Sequence, residues 1–162
     1  EILRCLVGSE MCIRDSSKRM NVETISYDKI NQLRHARYFK NGDGLRAHMR
    51  KHAEFLRPKF DVVLETLDRE LTGLGAGSWM KPMGGYFISF DAVPGCAKAI
   101  VNKCKEAGVV LTGAGATYPY GKDPDDSNIR IAPSYPTLEE LKQAAELFTL
   151  CAKLATVEKL LA

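Results

Sequence analysis

The chain has 162 residues and a formal net charge of +3, and its basic and acidic residues are interspersed. Such a mild, unclustered charge gives little support to nucleic-acid or membrane-surface binding. With 45% hydrophobic residues and no low-complexity run or internal repeat, the sequence predicts one globular domain with a real core.

The first sixteen residues, EILRCLVGSEMCIRDS, show no helical or strand periodicity and lack the pattern of a secretory signal. In a single reading frame, the inner end of a widely used transposase sequencing adapter translates to Leu6 through Asp15 and begins Ser16. We therefore expect residues 1–16 to be derived from the adapter. The native sequence is then expected to start near Ser17 and to lack its N-terminal part.

Two helices are predicted next. Ser26 is expected to cap a short helix that runs toward Phe39, and the glycines of Asn41–Gly44 are expected to break it. Apolar residues then recur at spacings of three and four from Met49 to Leu71, which predicts a long helix with one buried stripe. Pro58 lies inside this pattern and predicts a kink or a break.

The remaining elements are shorter. The segments SWMKP and GYFISFDA resemble strands around a Gly84-Gly85 turn, CAKAIVNKCKEAG resembles a helix closed by Gly108, and VVLTG and IRIAP resemble two more strands. Thr137 and Glu140 form a T-x-x-E capping box before a long final helix. This order predicts an α/β fold in which helices cover a small sheet.

Arg130 is the most informative candidate residue, because it stands between Ile129 and Ile131 in a short apolar strand. Strand alternation points its side chain away from those two neighbours. A guanidinium in such a place needs a charged partner or a cleft, and its planar fork suits a carboxylate. Spacing alone nevertheless favours an internal ion pair or a solvent-facing position over a ligand site.

The segment LTGAGATYPYG combines three glycines with Tyr118 and Tyr120. Glycines allow a backbone to approach a ligand, and tyrosines can line a pocket with a polar edge. The segment matches neither a P-loop nor a dinucleotide fingerprint, so a plain surface loop is the stronger interpretation when the segment is taken alone.

Other candidate groups are weaker. His48 and His52 have the i, i+4 spacing of metal ligands but no HExxH context or third ligand, so no metal site is predicted. Lys18 follows two serines but is followed by charged and polar residues, and we reject it as a catalytic lysine. Beyond the adapter-like segment, Cys96, Cys104 and Cys151 are odd in number and lack a CxxC motif, which favours a reduced cytoplasmic protein. Cys104 and Cys151 are expected to be buried, unreactive thiols.

Several segments together resemble one family. These are YDKINQLRHARYF, GLRAHMRKHAEFLRPKFDVVLETLD, KPMGGYFISFD, GVVLTGAGATYPYGKDPDDSNIRIAPSYPTLEEL and the final helix. They resemble the C-terminal part of the fold-type I pyridoxal-phosphate aminotransferases, and most of all the divergent bacterial subgroup of aspartate aminotransferases. The combination of P-x-G-G-Y-F with N-I-R-I-A-P-S-Y-P is the specific part of the match.

The resemblance implies a division of the chain and a set of roles. Residues 17–40 would be a remnant of the large-domain end and connecting helix, and residues 41–162 would be the C-terminal small domain of a partial fold-type I transferase. Arg130 would clamp the substrate α-carboxylate, and Tyr118 would border the pocket. Gly84, Gly85 and Tyr86 would be structural, and Arg34 or Arg37 would be candidates for a second carboxylate.

The resemblance also implies what this part does not carry. In the family the Schiff-base lysine, the acid partner of the pyridine nitrogen and the phosphate cup lie upstream, so we expect no catalytic residue here and an inactive fragment. The intact parent would be a homodimeric transferase that uses pyridoxal 5'-phosphate on aspartate and 2-oxoglutarate. The alternative is a small α+β ligand-binding or regulatory module in which Arg130 grips an acidic effector.

Overall fold

The structure is a computed structural model that describes residues 14–23 and 28–161. The chain divides into two compact units, Glu1–Met49 and Arg50–Ala162. Most of the segment expected to derive from the adapter, residues 1–13, lies outside the described residues. The predicted division at residues 17, 40 and 41 stays a prediction.

The first unit contains helix α1 (residues 14–23), helix α2 (Lys29–Phe39) and the start of helix α3 (Gly42–Leu71). Ser26, the predicted N-cap, lies outside the described residues, and Asp28 caps α2 by accepting a hydrogen bond from the Asn31 N–H at 2.9 Å. An aspartate at this position also suits the positive end of the helix dipole.

The break predicted over Asn41–Gly44 is narrower than expected. Lys40 has a φ of +63°, and the Asn41 side chain accepts a hydrogen bond from the Gly44 N–H at 2.9 Å, so α3 begins at once. A Cβ on Gly44 would overlap the Phe39 carbonyl oxygen. Gly44, the second glycine of this motif, therefore allows a tight turn between α2 and α3 and does not interrupt α3 itself.

Helix α3 continues through Pro58 to Leu71, so of the predicted kink or break the break is not found, and the kink stays a prediction. Proline removes only one hydrogen bond from the helix, and the freed carbonyl belongs to the exposed Glu54, where water can replace the lost donor. The predicted stripe is buried at Val63, Leu67 and Leu71 but not at Met49, which is 61% exposed.

The second unit is built on a three-stranded antiparallel sheet of β1 (Gly77–Trp79), β2 (Ile88–Ala92) and β3 (Asn128–Ile131), with β2 in the centre. Helix α4 (Ala97–Glu106) and helix α5 (Leu138–Leu161) complete it, and the capping box at Thr137 and Glu140 is formed as predicted. The expected small sheet with helices around it is confirmed.

One face of the sheet belongs to the core and the other carries polar groups. Ile88, Phe90 and Ile129 are fully buried and share a core with residues of α3, α4 and α5. The Phe90 and Phe148 rings meet edge to face at 5.0 Å, which ties the sheet to α5. This packing leaves the opposite face of β2 and β3 available for a site.

The strand predicted at VVLTG is wrong. Residues 109–113 pair with no strand among the described residues, and Val110 is 80% exposed. The segment starts as the end of α4, since the Val109 N–H donates to the Cys104 carbonyl at 2.8 Å. An extended, β-branched sequence becomes a strand only where a partner strand lies beside it.

Candidate functional site

Arg130 lies on the polar face of β3, opposite Ser89 in the register of the sheet. Its neighbours Ile129 and Ile131 are buried on the other face, as alternation predicted. The Arg130 guanidinium carbon lies 4.4 Å from the centre of the Phe87 ring. The side chain is thus half-buried and held from one side by an aromatic surface.

The guanidinium of Arg130 lacks an anionic partner. None of the residues in the described ranges forms an ion pair with it, and its Nε is buried without a hydrogen-bond acceptor. The internal ion pair considered from the sequence is therefore not formed within this part of the chain. A buried, unpaired donor costs about 1–3 kcal/mol, so the Arg130 guanidinium is held on this face at a cost to the stability of the fold.

A hydrogen-bonded network lies beside Arg130 on the same face. The buried Asn128 donates from Nδ2 to Ser89 Oγ at 2.9 Å and to Asp91 Oδ1 at 2.7 Å. Its Oδ1 accepts a hydrogen bond from Thr117 Oγ1 at 2.6 Å. The amide thereby connects β2 and β3 to the loop that carries Tyr118, and it fixes the surface next to the guanidinium.

The Asp123 carboxylate organises the turn that leads into β3. It accepts hydrogen bonds from the backbone N–H groups of Asn128 and Ser127, both at 2.8 Å, and of Asp125 at 3.1 Å. These hydrogen bonds, and above all the one from the Asn128 N–H, lower the pKa of Asp123. Partial burial of the carboxylate acts in the opposite direction. The turn is therefore held by an ionised carboxylate.

Tyr118 lies at the start of a short 3₁₀ turn, Pro119–Gly121, and is 37% exposed. The nearby Asp123 carboxylate raises the pKa of its phenol, with burial and the charges of Asp91 and Asp125 acting in the same direction. Tyr118 therefore remains a neutral hydroxyl that can donate a hydrogen bond. A hydrogen bond from Thr117 to Asn128 joins the loop that carries Tyr118 to the polar face of β3. The pocket role expected for Tyr118 stays a prediction.

The most constrained glycine of this loop is Gly115, and its constraint comes from a contact within the chain. Gly115 has a φ of +79°, and a Cβ there would lie 2.7 Å from the Gly121 carbonyl oxygen. The close backbone approach at Gly115 is therefore one between two turns of the loop.

Two residues of this surface were missed by the sequence analysis. Phe87 is the aromatic neighbour of Arg130, and Asn128 is the centre of the hydrogen-bonded network. A signal for both was present, because strand alternation places Phe87 with Ser89 and places Asn128 with Arg130. The cross-strand register that joins the two pairs could not be read from a single sequence.

Three other candidates belong to the first unit. Arg34 and Arg37 are exposed on α2, and their predicted role in binding a second carboxylate stays a prediction. Lys18, which the sequence analysis rejected as a catalytic lysine, is exposed on α1. His48 meets the rings of Tyr38 and Phe39 at 5.6 and 5.2 Å. Across residues 14–23 and 28–161, no three His, Cys, Asp or Glu side chains are grouped as a metal site.

Cys104 and Cys151 are buried, as expected, and Cys96 is buried as well. Burial, together with the adjacent Cys151, raises the pKa of Cys104 to about 12, and burial also raises the pKa of Cys96. Because the thiolate is the reactive form, these two groups are poor nucleophiles at neutral pH.

The surface around Arg130 does not have the groups of a complete pyridoxal-phosphate site. That cofactor needs a lysine amine, an acid beside its ring nitrogen and donors for its phosphate. The groups connected to Arg130 are an aromatic ring, hydroxyls, an amide and carboxylates, with no lysine amine among their described contacts.

No helix within the described ranges has the length and apolar character needed to cross a membrane. This observation concerns the helices of both units.

Comparison with known proteins gives a consistent result. The family model described as "Aspartate amino-transferase" matches residues 3–162. An aspartate aminotransferase of Corynebacterium glutamicum is 50% identical over 137 residues, which are 85% of this chain and 32% of that protein. The family match extends into residues 1–16, and the adapter origin of that segment stays a prediction.

Solved structures agree. The crystal structure of an aspartate transaminase from C. glutamicum superposes with a TM-score of 0.80 at 48% identity, and the match covers 89% of this chain and 34% of that one. A multiple substrate aminotransferase from Thermococcus profundus shares the fold, with a TM-score of 0.63 at 22% identity over 75% of this chain and 29% of that one. The chain spans about a third of the length of the relatives that it matches. It belongs to the aspartate amino-transferase family.

Proposed function

We propose that this chain supplies the substrate α-carboxylate clamp of an aminotransferase, with Arg130 as the clamp and Tyr118 at the edge of the pocket. The observation that carries the proposal is the unpaired guanidinium on the polar face of β3. A fixed arginine fork can bind a carboxylate through two parallel hydrogen bonds, and every amino-acid or keto-acid substrate has that group. Family membership supports this proposal over the regulatory module.

The proposal extends to the complete protein that contains this chain. It would be a homodimeric, cytoplasmic enzyme that moves an amino group between aspartate and 2-oxoglutarate. Pyridoxal 5'-phosphate would be held by groups outside the described residues and would act there as the electron sink. Arg34 or Arg37 would be candidates for binding the second carboxylate of a dicarboxylic substrate.

The clamp is tested by replacing Arg130 with Leu in the complete protein. Removing one partner of a buried, hydrogen-bonded charge pair costs about 2–5 kcal/mol, which corresponds to a roughly 30- to 5,000-fold loss of kcat/KM. Lys in place of Arg keeps the charge but not the fork and should recover only part of that loss. The matched control is Arg57→Leu, at an exposed position of α3. Wild-type kinetics in Arg130→Leu would refute the clamp.

A second test separates the chain from the complete protein. The 162-residue chain is expected to show no transaminase activity and no visible-range absorption band after incubation with pyridoxal phosphate and dialysis. A retained band would contradict the proposal that the cofactor-binding groups lie outside this part.

A further inference from the structure

Phe87 is an unusual residue for the surface on which it lies. It immediately precedes β2, and alternation with the buried Ile88 places it on the polar face with Ser89. Its side chain is 46% exposed, although the core lies only one residue away in the sequence. A large aromatic group on an otherwise polar face therefore needs an explanation other than burial in the core.

The register of the sheet supplies that explanation. Arg130 is the cross-strand partner of Ser89, so Phe87 is its diagonal neighbour on the same face, at a separation that aromatic and long side chains can bridge. The guanidinium carbon lies 4.4 Å from the ring centre, which is within the range of a cation–π contact. The backbone arrangement and the side-chain contact thus agree.

The contact has two consequences for the guanidinium. A long arginine side chain that is already held in one orientation loses less conformational entropy when it binds a carboxylate. In addition, Nε is buried without a hydrogen-bond partner, and neither terminal nitrogen of Arg130 is both buried and unpartnered in this way. The two terminal nitrogens are therefore the edge of the fork that a carboxylate can reach.

We propose that Phe87 is a positioning residue for Arg130: its ring fixes the plane of the guanidinium and turns the terminal nitrogens toward the substrate carboxylate. This inference rests on the proposed clamp function of Arg130. Phe87 itself needs no contact with the substrate. Its replacement should weaken carboxylate binding without changing the groups that carry out the reaction.

The first experiment measures kinetics in the complete protein. Phe87→Leu keeps an apolar side chain but removes the aromatic face, and it should raise KM for the amino-acid substrate by about 3- to 30-fold with kcat nearly unchanged, as expected for the loss of one cation–π contact. Phe87→Trp restores an aromatic face and should return KM toward the wild-type value. Tyr86→Leu is the matched control, because it removes the adjacent exposed aromatic residue.

The second experiment observes the guanidinium directly in the 162-residue chain. In a proton–nitrogen NMR spectrum of arginine side chains, the Arg130 Nε–H signal, assigned by its loss in Arg130→Lys, should be shifted by the ring current and should exchange slowly with water. Phe87→Leu should abolish both properties, while Tyr86→Leu should preserve them. Thermal unfolding of each variant shows whether the fold is intact.

The outcomes separate the two proposals. If Arg130→Leu loses activity but Phe87→Leu behaves like Tyr86→Leu, the positioning role is wrong and the clamp stands. A fall of kcat together with a loss of thermal stability in Phe87→Leu, without rescue by Trp, would make Phe87 a structural residue and would also overturn the inference. Wild-type kinetics in Arg130→Leu would remove the clamp and the positioning role together.

Discussion

The most testable structural feature outside the site is Lys59, a buried lysine on α3. It is 9% exposed, and its Nζ donates to the carbonyl oxygens of Pro136 at 2.6 Å, Ser134 at 2.8 Å and Tyr135 at 3.4 Å. These carbonyls belong to the loop between β3 and α5. One ammonium group thereby holds the segment that follows Arg130 and precedes the capping box, and its three donors are all used.

Lys59→Met measures the contribution of this ammonium group. Methionine keeps most of the apolar stem, so the change removes mainly the hydrogen bonds. Bonds to a charged donor are worth more than neutral ones, and two carbonyls lose a short partner, which gives an expected loss of about 2–4 kcal/mol in the free energy of unfolding. For a chain of this size that loss corresponds to a fall of roughly 5–15 °C in Tm.

The assay is denaturant unfolding of the 162-residue chain followed by tryptophan fluorescence. Trp79 is the single tryptophan, it stacks on the buried Phe90 at 6.2 Å, and it donates to Asp68 at 3.1 Å, so its emission reports the state of the core. Lys51→Met, at an exposed position of the same helix, is the control. If the two variants agree to within about 0.5 kcal/mol, the Lys59 hydrogen bonds do not stabilise this unit.

The remaining predictions concern the loops beside Arg130. Gly115→Ala should destabilise the chain by about 1–3 kcal/mol in chemical unfolding, because φ is +79° and the new Cβ would lie 2.7 Å from the Gly121 carbonyl oxygen. Gly113→Ala, with open space around it, is the control and should have little effect. Equal effects of the two substitutions would contradict this explanation. Asp123 has a lowered pKa in the folded state, so its stabilisation should be fully present above the ordinary value of 3.8 and lost as the pH falls through the folded pKa. Asp123→Asn should therefore be less stable than wild type at neutral pH, with a difference that shrinks in acid titration; a constant difference would refute the assignment.

The helices and turns were predictable where local chemistry determines them. The capping box at Thr137 and Glu140 places the start of α5, and Gly108, with a φ of +94°, follows the end of α4. These signals act over three or four residues, which a single sequence contains in full. The strand predicted at VVLTG failed because its formation depends on a neighbouring strand, which local propensity does not reveal.

Lys59 shows more clearly which contacts cannot be predicted from a single sequence. On α3 it stands one residue after Pro58 and looks like an ordinary solvated position, yet it is buried against carbonyls that lie 75 and 77 residues downstream. Its partners are backbone atoms, so no residue type in the sequence marks them. A contact of this kind is set by how the β3-to-α5 loop crosses α3, which is a property of the tertiary fold.

Arg130 and Phe87 lie between these two cases. The face of the sheet on which each residue lies could be predicted from its own strand, but the contact between them could not. Alternation placed Arg130 opposite the apolar face of β3, and the same rule placed Phe87 opposite the apolar face of β2. A shift of one residue in the register between these strands would set Arg130 beside Ile88 or Phe90 on the core side, where an unpaired guanidinium is far more costly. The hydrophobic pattern of both strands therefore excludes that register. The observed one brings the guanidinium and the aromatic ring together, so the packing requirement of the core also assembles the proposed binding surface on the opposite face.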